Sequence, residues 1–505
     1  HAALTTDTLG SRSVAIGNLA LGSQNFTSAT ASYNVAVGDA AGGAVTTGVN
    51  NTLIGGLAGD ALTTGSYNNA FGYASLSTAT TGEQNAAFGR YSLNANTSGS
   101  ENTAVGNHAL NSNTTADNNT AVGYQSLYAN TTAANNTAVG FQAMYDNTTG
   151  VVNAAFGRET LANNTSGSSN TAFGTNALFS NTTASNNTAV GYQAGYSGTT
   201  GLGNNVAIGY QASYAQTTGN NNVTVGYQAG LANTTGSDST AVGPYALYSN
   251  TTGYGNHAFG YAALYRNTTA SNNTAVGYQA VSYNTTGTNN VGVGHQALLA
   301  NTTGTVNTAV GQGAMTSTTT GIANTAIGQE ALYSNVSGNS NTVLGREAGY
   351  NITGGGNVVI GSALTAPSYG PAFNITSESN YISMGNSAVT NAYIKVAWTV
   401  TSDARDKSNF GEVPHGLSFV NQLAPCSYEF KLKREEDETD GFVRYGFKAQ
   451  DILALEGDNP VIIDNQDPDS LRYRETVLIP ILTKAIQELS TKLDAALARI
   501  TTLEG

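Results

Sequence analysis

The sequence predicts a mainly β protein: a parallel β-roll or β-solenoid of 17-residue coils, trimeric, followed by a small α+β domain that ends in a coiled-coil helix. Three observations predict it. A motif recurs along most of the 505 residues at a fixed step. The density of charge changes abruptly near Ser402. The last 27 or so residues carry a heptad pattern.

The repeat decides the first part. Copies of the type Asn-Asn-Thr-Ala-Val-Gly-Tyr-Gln-Ala-Leu-Tyr are marked by the glycine after an aliphatic residue or Phe, from Gly17 to Gly361. The step is 17 almost everywhere; it is 21 at Gly17→Gly38, 18 at Gly191→Gly209 and 16 at Gly345→Gly361. Seventeen residues suit one short solenoid coil and are too few for helical repeats, which need about 33 to 47. Thr-Ala-Val before the glycine and Tyr-Gln-Ala-Leu-Tyr after it read as strands, and Asn-Thr-Thr-Gly as a turn. Stacked coil on coil, the residue before the glycine (Val122, Val139, Phe156, Phe173, Val190) makes a continuous apolar row. The glycine needs positive φ or close backbone approach. Asparagines at equivalent positions can form amide ladders, which accounts for the many Asn-Xaa-Thr triplets without glycosylation. At about 4.8 Å per coil the rod would reach roughly 100 Å. So thin a coil buries little alone, and three parallel copies would cover its open face and its edges.

Composition excludes other classes. Only 10 % of residues are charged, against about 25 % in average globular chains. A net charge of −13 with no basic block argues against nucleic acid. Cys426 is the only cysteine, so no intrachain disulfide forms. No run of 18 apolar residues suggests membrane insertion. No cofactor motif is evident, and His1, His108, His257, His295 and His415 are too dispersed for a metal site.

Chemistry on the repeat has little support. Glycan cleavage needs two facing carboxylates, whereas Asp39, Asp60, Glu83, Glu101, Asp117, Asp146, Glu159, Asp238, Glu330 and Glu347 read as single and scattered. Tyrosines recur in two columns, one just after the glycine (Tyr124, Tyr192, Tyr210) and one four residues later (Tyr128, Tyr145, Tyr196). They read as stacking that stiffens the rod. The alternative is a ladder of rings on which sugars stack.

These coils resemble the left-handed parallel β-roll in the head domains of trimeric autotransporter adhesins, whose coils carry a similar Val/Ala-Ile/Val-Gly core and are shorter. The repetitive shaft is assigned to residues 1–361 and a neck to 362–401. The neck holds Pro367, Pro371 and two strand-like runs, Tyr381–Met384 and Ala392–Trp398.

Residues 402–505 form the last domain. They hold 31 charged side chains, against 18 in residues 1–401. Ser402-Asp403-Ala404-Arg405-Asp406-Lys407 opens the domain. A short helical pattern at Leu417–Leu423, a strand at Ser427–Lys431, an acidic hairpin tip at Glu435–Asp440 and Tyr445-Gly-Phe-Lys-Ala-Gln-Asp451 follow. Ile479, Leu482, Ile486, Leu489, Leu493, Ala496, Ile500 and Leu503 then alternate steps of 3 and 4, the a/d seam of a coiled coil over about 477–505.

The order of Ser-Asp-Xaa-Arg-Xaa-Lys, Gly446-Phe-Lys-Ala-Gln-Asp451 and the Leu482–Leu489 helix resembles the intramolecular chaperone domain of endosialidase-type phage tailspikes and fibres. The resemblance implies a domain that trimerises, templates folding of the fibre ahead of it, then cuts itself off. It implies Ser402 as nucleophile, Lys407 as general base, supporting roles for Asp403 and Arg405, and cleavage of the Thr401–Ser402 bond. Serine needs a base, and lysine serves when burial favours its neutral form.

The function these features predict is a structural phage tail fibre subunit for host attachment. Its partners would be two further copies of itself, other virion tail or baseplate proteins, and a host-surface glycan or protein receptor. It would sit in the virion, outside the cell, after synthesis in the host cytoplasm. A bacterial surface adhesin of trimeric type and a glycan-depolymerising tailspike are the alternatives.

Overall fold

The structure, a computed structural model, describes residues 3–198, 200, 203–362, 376–385, 402–431, 437–458, 460–465 and 471–505. The chain divides into two compact units, His1–Asn386 and Ser387–Gly505.

The first unit is a parallel β-solenoid. Among the described residues, 22 three-residue strands form one ladder, from Val14–Ile16 to Ile382–Met384. Each pairs in parallel with the next in sequence, as Thr120–Val122 does with Thr137–Val139. The sheet is thus an open stack and not a closed barrel. Irregular steps leave the register intact: Thr188 pairs with Val206, 18 residues on, and Thr342 with Val358, 16 on. The ladder also continues past Gly361, because Ile382–Met384 pairs with Val358–Ile360 after a 24-residue step. Tyr381–Met384, which reads as neck in the sequence, thereby enters the last coil. Pro367, Pro371 and Ala392–Trp398 lie outside the described residues.

Each coil has one strand, not two. The Tyr-Gln-Ala-Leu-Tyr run is a turn, and its burial shows why. Adjacent residues of a strand face opposite ways, yet Ala143 and Met144 are both fully buried. The chain reaches this by alternating hand, with Gln125 at φ 53° and Leu127 at φ 49°. Left-handed backbone costs about 1–2 kcal/mol per residue, of which burial of the turn leucine, about 1.5–3 kcal/mol, offsets a large part. The amides are satisfied between coils: Gln125 N–H donates to Asn107 O at 3.1 Å and Leu127 N–H to Ala143 O at 2.9 Å.

The core therefore stacks the strand alanine (Ala104, Ala121, Ala138) on the turn leucine (Leu110, Leu127, or Met144). The residue before the glycine points outward. Phe173 is 52 % exposed and Val190 38 %, so the apolar row lies on the outer face of the sheet. Glycine is required beside it: Gly123 has φ 139°, and a Cβ there would lie 2.3 Å from Gly140 O.

Two asparagine ladders line the interior. In one, Asn119 donates its N–H and Nδ2 to Asn102 Oδ1, at 3.0 and 3.2 Å. In the other, Asn130 Nδ2 reaches Asn113 Oδ1 at 2.9 Å and Ala133 O at 3.0 Å. The Asn-Thr-Thr asparagine is thus buried. Both tyrosine columns stack, as Tyr192–Tyr210 (5.4 Å between centroids) and Tyr128–Tyr145 (5.1 Å) show.

The second unit is a small α+β fold. Helix α1 spans Leu417–Val420, α2 Ala449–Glu456 and α3 Leu478–Glu504. Cys426–Tyr428 pairs antiparallel with Arg444–Gly446, and Ile463–Asp464 with Arg472–Tyr473. Phe419, Ile452, Ile462, Ile463, Leu478 and Ile481 make its core. Of the acidic tip, Asp437 pairs with Lys431 at 2.7 Å, while Glu435 lies outside the described residues. No described helix is long and apolar enough to cross a membrane.

Candidate functional site

Ser402 and Lys407 are five residues apart, and a single turn of 3-10 helix, Ala404–Asp406, brings them together. Asp403 begins that turn. Its carboxylate accepts from the Arg405 backbone N–H at 2.8 Å, an N-cap that satisfies a donor the turn leaves free. The Arg405 guanidinium closes over the same carboxylate, with Nη2 to Oδ2 at 2.5 Å. These bonds, the side-chain one foremost, hold the Asp403 carboxyl below the usual carboxylate range. Lys407 ends the turn in extended conformation, and its N–H donates to Ala404 O at 3.3 Å. Its side chain thereby returns to Ser402, with Nζ 2.6 Å from Oγ.

A lysine amine and a serine hydroxyl at this distance can exchange a proton. Both residues are exposed in the single chain. Asp403 and Arg405 touch each other and shape the turn; neither is bonded to Ser402 or Lys407 through its side chain in any contact of the described residues. Thr401 lies outside the described residues.

The domain after the turn rests on half-buried polar anchors that the sequence does not advertise. Glu456, at the end of α2, accepts from the N–H groups of Val461, Ile462 and Ile463 at 2.7, 2.6 and 2.9 Å. Glu488 of α3 accepts from Leu417 N–H at 2.8 Å, which caps the start of α1. Lys484 Nζ donates to Val413 O at 2.5 Å. In Gly446-Phe447-Lys448-Ala449-Gln450-Asp451, Phe447 packs against the core and edge-on to Tyr473, and Lys448 starts α2.

One face of α3 is covered and the other is not. Leu478, Ile481 and Ala485 are buried, while Ile479, Ile486, Leu489, Leu493 and Leu503 are about half to four-fifths exposed. The exposed set is the heptad seam.

On the solenoid, Glu330 and Glu347 occupy the same position of neighbouring coils, so these two acids are stacked and not scattered. Glu347 is buried and pairs with Arg346 at 2.9 Å. Among the described residues, no group of three or more His, Cys, Asp or Glu side chains is gathered as a metal would require.

Residues 402–459 match the sequence model of a family described as chaperone of endosialidase. No curated protein and no solved structure matches the chain. A segment similar to this family, following a solenoid of some 20 turns in the sequence, fits a phage tail fibre with an endosialidase-type chaperone, and that family implies trimeric assembly in general.

Proposed function

We propose that the chain is one subunit of a homotrimeric phage tail fibre for host attachment, and that residues 402–505 are its self-cleaving folding chaperone. The observation that carries this reading is the 2.6 Å contact between Lys407 Nζ and Ser402 Oγ, at the first residues of the segment matching the chaperone family.

The cleavage runs as follows. Neutral Lys407 takes the Ser402 hydroxyl proton, and Oγ attacks the carbonyl carbon of Thr401. The Thr401–Ser402 C–N bond breaks as Lys407 returns the proton to the Ser402 nitrogen. An ester between Thr401 and Ser402 Oγ remains. Water hydrolyses it, which leaves the Thr401 carboxylate and a Ser402 with free amine and hydroxyl. In one chain the Lys407 amine faces water; burial against a second copy would favour its neutral form. Cleavage would then follow assembly.

Two apolar surfaces support the trimer. The row of Val, Ile and Phe before each glycine repeats at one strand spacing along the whole sheet. A cover for such a row must carry the same spacing, and a second copy does. The exposed seam of α3 is a second such surface, with Ile and Leu at its a and d positions. Register explains the need for a chaperone. A slip by one coil preserves the 17-residue pattern, so the shaft alone does not define which coils of three chains lie side by side. Parallel β topologies also fold slowly, with edges exposed. A C-terminal clamp fixes the register, and cleavage makes the result irreversible.

The test is the mass, under denaturing conditions, of the expressed chain beside Ser402→Ala and Lys407→Met. The wild type should yield a fragment ending at Thr401 while both variants stay whole. An intact wild type, or cleavage in both variants, would remove the catalytic role of the pair.

A further inference from the structure

The second position after the repeat glycine is glutamine in many coils, and these glutamines form a third ladder. Each Nε2 donates to Oε1 of the preceding coil: Gln142 to Gln125, Gln211 to Gln193 and Gln228 to Gln211 at 2.9 Å, and Gln296 to Gln279 at 3.1 Å. The ladder runs between the two tyrosine columns and fills the groove they would otherwise leave.

It is broken at Ala262. Gln279 follows Ala262 and, like Gln125 and Gln193, has no glutamine in the preceding coil to accept from its Nε2; beside it, where Ala262 leaves the groove unfilled, lies a cleft of about 360 Å³. That volume lies within the range of small-molecule sites, about 300–1,000 Å³. Ala262 is its floor. Tyr261 and Tyr265 form the two sides. Tyr245 closes one end, standing edge-on to both at 5.9 and 6.4 Å between centroids. Most neighbouring rings of the two columns stack face to face; here, as with Tyr91 on Tyr73, a tyrosine in the glutamine position stands edge-on and turns its ring across the groove. Beyond Gln279 lie the buried Ser282 and the half-exposed Tyr283. Arg266 holds its guanidinium 4.6 Å from the Tyr283 ring centroid. It is the only Lys or Arg between Arg158 and Arg346, and no carboxylate pairs with it among the described residues.

We propose that this cleft binds one or two pyranose units of an acidic polysaccharide. Tyrosine faces and edges suit the apolar C–H faces of a sugar. The Gln279 amide donates to a hydroxyl, and the planar, unpaired Arg266 guanidinium suits a carboxylate. The inference deepens the attachment reading by naming the ligand class and a place for it on the shaft side.

The test is saturation-transfer NMR on the full-length chain with methyl β-D-glucuronide and its neutral counterpart, methyl β-D-glucoside. Wild type should transfer to the glucuronide about fivefold more strongly than to the glucoside, the scale of one exposed charge pair. Arg266→Gln should reduce the glucuronide to the glucoside level. Ala262→Gln restores the repeat residue and gives Gln279 its acceptor, so it should keep or raise the melting temperature while abolishing transfer to both sugars. No transfer in wild type, equal transfer to both sugars, or unchanged transfer in Ala262→Gln would overturn the proposal. Native mass and cleavage measured on the same preparations separate the readings: a cleaved trimer without transfer leaves the fibre and loses only the cleft.

Discussion

Replacing Asn102 by alanine tests whether the amide ladder holds the shaft together. Asn102 is fully buried. Its Nδ2 donates to Asn85 Oδ1 at 3.2 Å and Ala116 O at 2.8 Å. Its Oδ1 accepts from the N–H and Nδ2 of Asn119, at 3.0 and 3.2 Å. The two acceptors survive the change, because Asn85 Oδ1 keeps the Asn102 N–H and Ala116 O keeps Asn113 Nδ2. The two donors do not. Asn119 is fully buried too, and each unmet donor costs about 1–3 kcal/mol. The coil should therefore lose about 3 kcal/mol, the lower half of the combined range, since the space left by the side chain admits some relaxation. Hydrogen exchange read by mass spectrometry over residues 102–136 should then speed up by more than about a hundredfold. Asn118→Ala is the control. Asn118 is exposed with φ 59° and donates only its backbone N–H, to Ser100 O, so its loss should stay near about 1 kcal/mol. Exchange that changes less than about threefold in Asn102→Ala would refute the ladder as a source of stability.

Three further outcomes follow from named contacts. Gly140→Ala should prevent soluble expression of the shaft, since its φ of 141° is closed to L side chains and the new Cβ would also meet Gly157 O at 2.3 Å; a Cβ at Gly150 would meet Gly167 O at 2.2 Å, but the backbone there is not left-handed and Ala116, Ala133 and Ala184 fill the same position in other coils, so Gly150→Ala should express normally after a small local shift. Equal yields of the two variants would contradict the stacking argument. The leucine stack is interrupted where Gly195, Ser213 and Gly230 replace leucine, beside a cavity of about 30 Å³, so coils 191–230 should show the fastest exchange of the inner shaft, and uniform exchange would count against that. The pairing with Arg405 depresses the Asp403 carboxyl, so the contribution of Asp403 to the turn is complete above the ordinary carboxylate value of about 3.9 and is lost only as pH falls through the depressed one. The cleavage rate should accordingly show no carboxylate inflection above the ordinary carboxylate value, and Asp403→Asn should lower it at every pH; an inflection near about pH 5 that Asp403→Asn removes would contradict this.

The sequence makes the periodic features legible and hides the conformational ones. Strand, glycine and asparagine positions recur every 17 residues, and each has a physical reason visible in the residue type. The turn after the glycine does not. Tyr-Gln-Ala-Leu-Tyr has the composition of a strand, and the left-handed Gln125 and Leu127 follow from stacking and burial that no local propensity encodes. The last coil is concealed by a 24-residue excursion before Ile382–Met384. The stacked acids Glu330 and Glu347 become neighbours only once the register is known. At the candidate site, residue types and order are readable, but a spacing of five suggests a contact only if something bends the chain. Asp403 and Arg405 supply that bend. Glu456 and Glu488 belong to no motif, because the amides they bind are defined only by the fold. The cleft at Ala262 is not legible in the sequence, because glutamine is missing from that column in many coils and only the stacked rings around Ala262 turn one such gap into a cleft.

The central claim is that one chain is an incomplete object whose outward apolar row and α3 seam are covered by two more copies. Native mass measurement of the full-length Ser402→Ala chain, which holds shaft and chaperone together, tests it most directly. The account predicts a single species of three chains at all concentrations above the nanomolar range. A stable monomer would contradict it, and with it the fibre.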